Sequence, residues 1–278
     1  MLRSSSRGPG SLAGHSHTPV VWLDGALVDP AAAALPIADP GVRWGEGLFE
    51  TMRGAGGRVP LLERHLRRME GSARALGIGP LPGRGTLERA VAEAVAAAGG
   101  GDLRVRLRVT ALPSVLVEAA PEAPLPEAPG TARAAAVRGA WLPGNRIAEH
   151  KTLSYAGHRW SQRRAEAAGA DHALLLDDRG RLGEAAVANV VCAVGGALVT
   201  APADGLLPGV ARELVMESLP VREAALDEAG WRGADEIVLV SALRGATAVV
   251  AVDGAPVGDG RPGPWAARLA ALLRAATA

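Results

Sequence analysis

The sequence predicts an α+β fold, in which strands and helices are mixed without a regular βαβ alternation. Apolar residues recur at helical spacing in some segments and alternate with polar residues in others. Several predicted strands follow one another directly, which favours antiparallel pairing over a doubly wound parallel sheet. The 278 residues, 48% hydrophobic and 21% charged, are enough for one long globular domain or two of ordinary size.

The first half of the chain begins with residues 1–19, which are rich in Ser, Gly, Pro and His and show no periodicity. We therefore expect a disordered lead there. A secretory signal is not expected, because the apolar stretch that it requires is missing. The elements predicted after it are a strand over 20–27 with a turn at Asp24-Gly25, a helix over 61–77, a helix over 86–98 capped by Thr86, a half-buried strand over 103–112, a proline-rich loop over 121–129 and a strand near 131–138.

The second half begins with residues 139–146, whose Pro143-Gly144 pair suggests a connection between domains. We therefore expect a small α+β domain over 20–138 and a large one over 147–278. Within the large domain the predicted elements are helices over 157–168, 209–218 and 263–276, and strands over 172–177, 187–194, 197–200 and 235–241.

Composition excludes several classes of function. A net charge of +1, with scattered arginines and few aromatic residues, gives no basis for binding nucleic acid. No apolar run is long enough to span a bilayer. The one cysteine, Cys192, lies in an apolar stretch, so we expect a buried strand residue and a reducing, cytoplasmic environment.

Lys151 is the only lysine among the 30 Lys and Arg residues. Arginine fills every other cationic position, so this position calls for something that arginine cannot do. An amine can lose its proton and form a Schiff base with an aldehyde, whereas a guanidinium stays protonated. The only phenylalanine and the only tyrosine, Phe49 and Tyr155, also lie in short, chemically constrained segments. A surface lysine that escaped a compositional bias is the alternative.

Several segments, in this order, resemble the fold-type IV pyridoxal-phosphate enzymes. That family includes branched-chain and D-amino-acid aminotransferases and 4-amino-4-deoxychorismate lyase. The resemblance covers residues 20–260 and implies a two-domain architecture like that of D-amino-acid aminotransferase. The matching segments are Asp39-Pro-Gly-Val-Arg-Trp-Gly-Glu-Gly-Leu-Phe-Glu-Thr-Met-Arg53, Leu61-Leu-Glu-Arg-His-Leu-Arg-Arg-Met69, His150-Lys-Thr-Leu-Ser-Tyr155, Gly169-Ala-Asp-His-Ala-Leu-Leu-Leu-Asp177, Gly183-Glu-Ala-Ala-Val-Ala-Asn189, Leu207-Pro-Gly-Val-Ala-Arg212 and Ser241-Ala-Leu-Arg-Gly-Ala246.

The resemblance implies a role for each matched residue. Lys151 would bind the aldehyde of pyridoxal 5'-phosphate and shuttle the substrate α-proton. Glu184 would face the pyridine nitrogen and keep it protonated, although a solvated turn glutamate is the alternative. Arg53 would bind the cofactor phosphate. Tyr155 would lie near the phenolic oxygen of the cofactor, or alternatively in the core. Phe49 and Arg244 are substrate-contacting candidates, Arg244 equally a surface loop residue.

Two further segments would bind the phosphate through backbone N–H groups. Val210 and Ala211 would begin a helix after Pro208-Gly209, and Gly245 with Ala246 would form a second loop. The threonine common in the family at the first position is Ala211 here, which removes one hydroxyl contact. Ala185 and Ala186 also depart from the usual Gly and Ser/Thr.

The resemblance implies transamination between an amino acid and a 2-oxo acid, and a homodimer. The alternative is 4-amino-4-deoxychorismate lyase, which releases pyruvate and 4-aminobenzoate, because both reactions begin with α-proton removal by the lysine. A more remote alternative is a binding protein that has lost activity. The arginine that holds the substrate carboxylate in D-amino-acid aminotransferases would follow the strand threonine, but Thr110 is followed by Ala111.

Overall fold

A computed structural model describes residues 18–277, which form two sheets with helices packed on them. The predicted disordered lead therefore lies outside the described residues, apart from Thr18 and Pro19. Within residues 18–277, no helix combines the length and the apolar character needed to cross a membrane.

The first sheet has five strands and is antiparallel throughout. In chain order its strands are β1 (Val20–Leu23), β2 (Ala26–Val28), β3 (Gly47–Gly54), β4 (Leu103–Thr110) and β5 (Val115–Pro121), arranged β2-β1-β5-β4-β3. A short helix, α1 (Pro40–Trp44), precedes β3. Two longer helices, α2 (Leu62–Leu76) and α3 (Arg84–Ala97), pack their apolar faces on one side of this sheet and bury the first core. The opposite side, which carries Phe49, faces the rest of the molecule.

The second sheet has nine strands. Its strands are β6 (Gly130–Val137), β7 (His172–Leu176), β8 (Leu182–Ala185), β9 (Asn189–Val194), β10 (Ala197–Thr200), β11 (Val221–Glu223), β12 (Glu236–Ser241), β13 (Gly245–Val252) and β14 (Ala255–Pro256). They run in the order β11-β10-β9-β12-β13-β6-β7-β8, with β14 on β13. The helices of this half are α4 (Ala156–Ala167), α5 (Val210–Ser218), α6 (Glu228–Arg232) and α7 (Pro264–Thr277), and a 3₁₀ turn spans Arg146–Glu149.

Helices α4, α5 and α7 pack on one face of this sheet, and Trp231 of α6 packs on the other. Helices α5 and α7 pack together on β12 and β13, while α4 packs on β6 and β7. Cys192 lies in β9 with 2% exposure, as the sequence predicts, and burial raises the pKa of its thiol to about 12.

Two predictions from sequence need correction, and one strand beside the site was missed. The strand near 131–138 is β6, which pairs in parallel with β7 and β13 of the second sheet, so the boundary between the halves falls before Gly130 and not at 138. Thr86 does not cap α3, which begins at Arg84 after Gly83. Strand β13 was not predicted, because its first residues, Gly245 and Ala246, were interpreted as a loop.

Candidate active site

The segment that carries Lys151 is fixed along the free edge of β3. The Phe49 N–H donates to the Lys151 carbonyl at 2.9 Å, and the Leu153 N–H donates to the Gly47 carbonyl at 2.9 Å. From the other side, His150 Nδ1 lies 3.1 Å from Ser72 Oγ on α2. The lysine therefore projects from a backbone that is held both by the sheet and by the helix.

This close approach explains the glycine at position 47. A Cβ added there would lie 2.6 Å from the Val109 carbonyl oxygen and 2.7 Å from Leu153 Cδ1. Both distances are well below van der Waals contact, so a larger residue would push the lysine segment off the strand. The Gly-Glu-Gly-Leu-Phe-Glu pattern is thus needed for packing as well as for chemistry.

The amine of Lys151 lies among aromatic rings. Its Nζ is 4.3 Å from the centroid of the Phe49 ring and 5.0 Å from that of Tyr155, and the two rings meet edge to face at 5.1 Å. Burial, and then the charge of Arg68, lower the pKa of Lys151 from 10.5 to about 8, although Glu50 and Glu184 oppose the shift. A large part of the amine is therefore neutral and nucleophilic near pH 8.

Glu184 is buried on β8 and is held by several groups. Asn189 Nδ2 donates to Glu184 Oε2 at 3.1 Å and to the Leu207 carbonyl at 2.9 Å. His158 Nε2 lies 3.6 Å from Glu184 Oε1. The solvated turn position that was the alternative for Glu184 is excluded, since only 5% of the residue is exposed.

Tyr155 links the lysine to this carboxylate. Its ring stacks on His158 with centroids 4.3 Å apart, and its hydroxyl donates to the Ala186 carbonyl at 3.1 Å. Burial, followed by the charge of Glu184, raises the pKa of Tyr155, so the phenol stays protonated at neutral pH. Lys151, Phe49, Tyr155 and Glu184 therefore form one continuous group.

The N-terminus of α5 lies beside this group. Gly209 caps the helix without any side-chain acceptor, and the first N–H groups of a helix have no partner within it, so those of Val210 and Ala211 are suited to an anion. Gly209 also packs closely on Asn189, whose Oδ1 would be only 1.9 Å from an added Cβ. Asn189 thus connects Glu184 to the N-terminus of α5.

Arg68, on α2, provides the cation at this place. Its Nη1 donates to the Pro208 carbonyl at 3.0 Å, just before α5, and its Nε and Nη2 bind Glu50 at 2.9 and 2.5 Å. Glu50 is 1% exposed and also contacts His65 Nδ1 at 2.7 Å. A guanidinium has five N–H groups, so Arg68 keeps donors beyond these three bonds.

Arg53 does not fit the phosphate role that its position in the sequence suggested. Its Nη1 donates to the Leu243 carbonyl at 3.0 Å, and its Nη2 binds Asp102 at 2.7 Å and the Ala123 carbonyl at 2.6 Å. These bonds join β3 to loops of both halves, which is a structural role. Sequence reasoning missed Arg68, although it lies in the matched segment 61–69. The available signal was Glu50, a carboxylate within the apolar segment 48–52, because a carboxylate that is buried there requires a cationic partner.

The remaining candidates lie around the β12–β13 turn. Gly245 and Ala246 are buried and begin β13, with Gly245 paired to Ser241. Ser241 follows Val240, which pairs with Asn189, so this turn is at the same end of the sheet as the α5 N-terminus. Arg244 is exposed. Burial, and then the charge of Arg244, lower the pKa of His172. Among the described residues, Arg244 makes no contact that supports a substrate role.

The site fits an aldehyde cofactor that carries a phosphate. It combines an amine with a lowered pKa, a buried carboxylate, a glycine-capped helix N-terminus and an arginine. Lys151, Phe49, Tyr155 and Arg68 are all partly exposed. Among residues 18–277 there is no cluster of three or more His, Cys, Asp or Glu side chains that could hold a metal ion. The fold and site thus define an enzyme class in which a lysine binds a phosphorylated aldehyde.

Comparisons with known proteins agree with this class. Residues 47–252 match the family model described as amino-transferase class IV. The chain is 29% identical over 263 residues to a putative branched-chain-amino-acid aminotransferase of Methanocaldococcus jannaschii, covering 87% of this chain and 91% of that protein. It is 28% identical over 275 residues to a D-alanine aminotransferase of Listeria monocytogenes, covering 90% and 93%.

Solved structures show the same similarity. A branched-chain aminotransferase of Thermoproteus uzoniensis with norvaline superimposes with a TM-score of 0.82 at 27% identity, covering 92% of this chain and 94% of that one. The PLP-bound form of a hypothetical aminotransferase of Mycobacterium tuberculosis gives 0.81 at 25% identity, covering 93% and 98%. This chain belongs to the class IV aminotransferase family, and it is an enzyme of the α+β, fold-type IV architecture.

Proposed function

We propose that this enzyme transfers an amino group between an amino acid and a 2-oxo acid, with pyridoxal 5'-phosphate bound to Lys151. The observation that carries the proposal is the site of Lys151, whose pKa is lowered to about 8 next to a buried carboxylate and an anion site. The names of the relatives, branched-chain and D-alanine aminotransferases, support transamination over the lyase reaction.

The residues would hold the cofactor in three places. Lys151 would bind its aldehyde carbon, and Glu184 would accept a hydrogen bond from its pyridine nitrogen. Arg68 and the N–H groups of Val210 and Ala211 would bind its phosphate, which replaces the earlier assignment to Arg53. Gly245 and Ala246 remain candidates for a second phosphate contact.

The bound cofactor supplies an electron sink for negative charge at the substrate α-carbon. Lys151 Nζ would remove the α-proton and return it, because its lowered pKa gives it a base form near neutral pH. Glu184 would keep a proton on the pyridine nitrogen and so maintain the sink. Phe49 and Tyr155 would shield the amine from water, and Glu50 would hold the guanidinium of Arg68 in place.

Two expectations complete the proposal. We infer a homodimer from membership of the family. The molar mass in solution, measured by light scattering after size-exclusion chromatography, tests this expectation. We also propose a cytoplasmic location. The free, buried Cys192, whose thiol pKa is raised by burial, agrees with a reducing environment. An active monomer would overturn the first of these.

One pair of assays decides between transamination and the lyase reaction. The holoenzyme is incubated with a panel of L- and D-amino acids plus 2-oxoglutarate or pyruvate, and separately with 4-amino-4-deoxychorismate. We expect keto-acid formation only when an acceptor is present. Release of pyruvate and 4-aminobenzoate without an acceptor would overturn the proposal.

A further inference from the structure

Three arginines of β4 point to the side of the first sheet that faces Lys151. Arg104, Arg106 and Arg108 alternate along the strand, so they share one face. Their partners on β3 are, respectively, Arg53, Thr51 and Phe49. Each of these pairs forms one row across the two strands. Phe49 contacts the lysine and Arg53 contacts the β12–β13 turn, so the row that contains Arg106 is the middle one, between these two places.

The two outer arginines have carboxylate partners, whereas Arg106 has none. Arg104 pairs with Glu122 at 3.7 Å, and Arg108 forms a close ion pair with Glu118. Glu118 is the register partner of Arg106 on β5, but its carboxylate is engaged by Arg108. Within residues 18–277, Arg106 makes no hydrogen bond or ion pair through its side chain.

The surroundings of Arg106 are unfavourable for an uncompensated cation. It is half-buried, and burial followed by the charges of Arg104 and Arg108 lowers its pKa, with Arg159 of α4 acting in the same direction and Glu118 against it. Its own charge contributes to lowering the pKa of Lys151, so the two side chains are close enough for their charges to interact. A partly buried, unpaired guanidinium beside a reactive amine is suited to an anionic ligand.

We propose that Arg106 binds the α-carboxylate of the amino-acid substrate. This inference rests on the proposed function, since it takes the substrate amine to react at Lys151. A carboxylate one carbon away from that amine would lie close to Lys151, on the side of the sheet that carries Arg106, and a guanidinium matches its two oxygens. The cofactor phosphate has its own candidate site at Arg68 and α5.

This assignment also accounts for a departure noted in the sequence. Ala111 stands where a carboxylate-binding arginine would follow Thr110, so that position supplies no cation. Arg106 is five residues earlier on the same strand, on the side that faces the lysine. The carboxylate contact is therefore provided from the strand itself.

The test compares Arg106→Gln and Arg106→Lys with the matched control Arg104→Gln, which alters the neighbouring row on the same face. Each holoenzyme is assayed with leucine and with 3-methylbutylamine, which lacks the carboxylate, and 4-methylpentanoate serves as an amine-free competitive inhibitor. If the panel identifies a better amino donor than leucine, the corresponding amine and acid are used. Affinity for pyridoxal phosphate and the melting temperature check that each variant is intact.

Loss of one charge-assisted contact should raise KM for the amino acid and the inhibition constant of the acid by roughly 10- to 100-fold in Arg106→Gln. We expect Arg106→Lys to recover part of this loss. In Arg106→Gln, the reaction with 3-methylbutylamine and the affinity for the cofactor should change less than about threefold. In Arg104→Gln, all of these quantities should change less than about threefold. Changes under threefold with the amino acid, a loss confined to dicarboxylic substrates, or weakened cofactor binding would each overturn the assignment. A wild-type enzyme that neither binds the cofactor at Lys151 nor transaminates any amino acid would instead refute the proposed function.

Discussion

Arg68 and Arg53 show how two largely buried arginines can have different roles. Both are largely buried and both bind a carboxylate, but Arg68 is beside Lys151 and α5 while Arg53 joins β3 to loops of both halves. The distinction depends on which groups surround each guanidinium, and not on the residue type.

Arg68→Lys should therefore weaken binding of pyridoxal phosphate by roughly 10- to 100-fold, because a bidentate contact to the phosphate is lost. Binding of pyridoxal, which has no phosphate, should change little. The measurement is a pair of dissociation constants, with Arg53→Lys as the matched control. An equal loss for both ligands, or a selective loss of phosphate binding in Arg53→Lys, would contradict the assignment.

The lowered pKa of Lys151 predicts a pH profile. A lysine with its pKa lowered from 10.5 to about 8 is mostly neutral above pH 8, so the rate of covalent cofactor attachment to the apoenzyme should rise through that pH and then level off. Absorbance after rapid mixing measures the rate, with N-acetyl-lysine amide as the reference amine. If the protein follows the reference, with a midpoint near 10, the cleft does not activate the lysine.

Glu184 is expected to act on the reaction more than on binding. Glu184→Gln should slow α-proton removal by about 10²–10⁴-fold while cofactor binding stays measurable, since an amide cannot keep the pyridine nitrogen protonated. Solvent exchange of an α-deuterated amino acid measures this step. Asn189→Ala, which removes a neighbour of the carboxylate, should have a smaller effect. A loss under about threefold in Glu184→Gln would mean that the cofactor ring is elsewhere.

At the scale of elements, the contact between α2 and β3 depends on a buried ion pair. Burial alone would raise the pKa of Glu50, but Arg68 and His65 bring it from 4.5 down to about 2. Because the folded-state pKa is lowered, the stabilisation is fully present above pH 4.5 and is lost as the pH falls toward 2. A shift of this size corresponds to about 3 kcal/mol at neutral pH.

Glu50→Gln should thus reduce the free energy of unfolding at pH 7 by about 3–5 kcal/mol, since it also leaves Arg68 without its partner. The difference from wild type should shrink between pH 4.5 and pH 3. Urea titrations at these pH values provide the measurement. Glu217→Gln, which alters an exposed ion pair with Arg64, should have a much smaller effect. A difference that does not depend on pH would mean that Glu50 is not charged in the folded protein.

At the scale of the whole molecule, periodicity predicted most helices and strands to within a few residues, because each pattern is local. Helix α2, for example, ends before Gly77, as its apolar spacing and the glycine indicate. The membership of β6 in the second sheet was not predictable, since its partner β13 is more than 100 residues further along the chain. The unpaired state of Arg106 likewise depends on which arginine takes Glu118.

The site residues also divide into those that a local motif indicates and those that depend on contacts between distant segments. Lys151, Tyr155 and Glu184 were predicted from residue counts and motifs, and the structure places them near one another and near Phe49. Arg53 was assigned to the phosphate and Arg68 was missed, because spacing along the chain does not say which side chains meet in the folded protein. Arg244 stays a prediction without a supporting contact.

The covalent link between pyridoxal phosphate and Lys151 is tested most directly by borohydride reduction of the holoenzyme followed by intact-protein mass spectrometry. Because Lys151 is the only lysine, we expect a single phosphopyridoxyl adduct on that residue, no such adduct on Lys151→Arg, and no transamination by that variant. Absence of an adduct from the wild-type protein, or an adduct only on the N-terminal amine, would contradict the account.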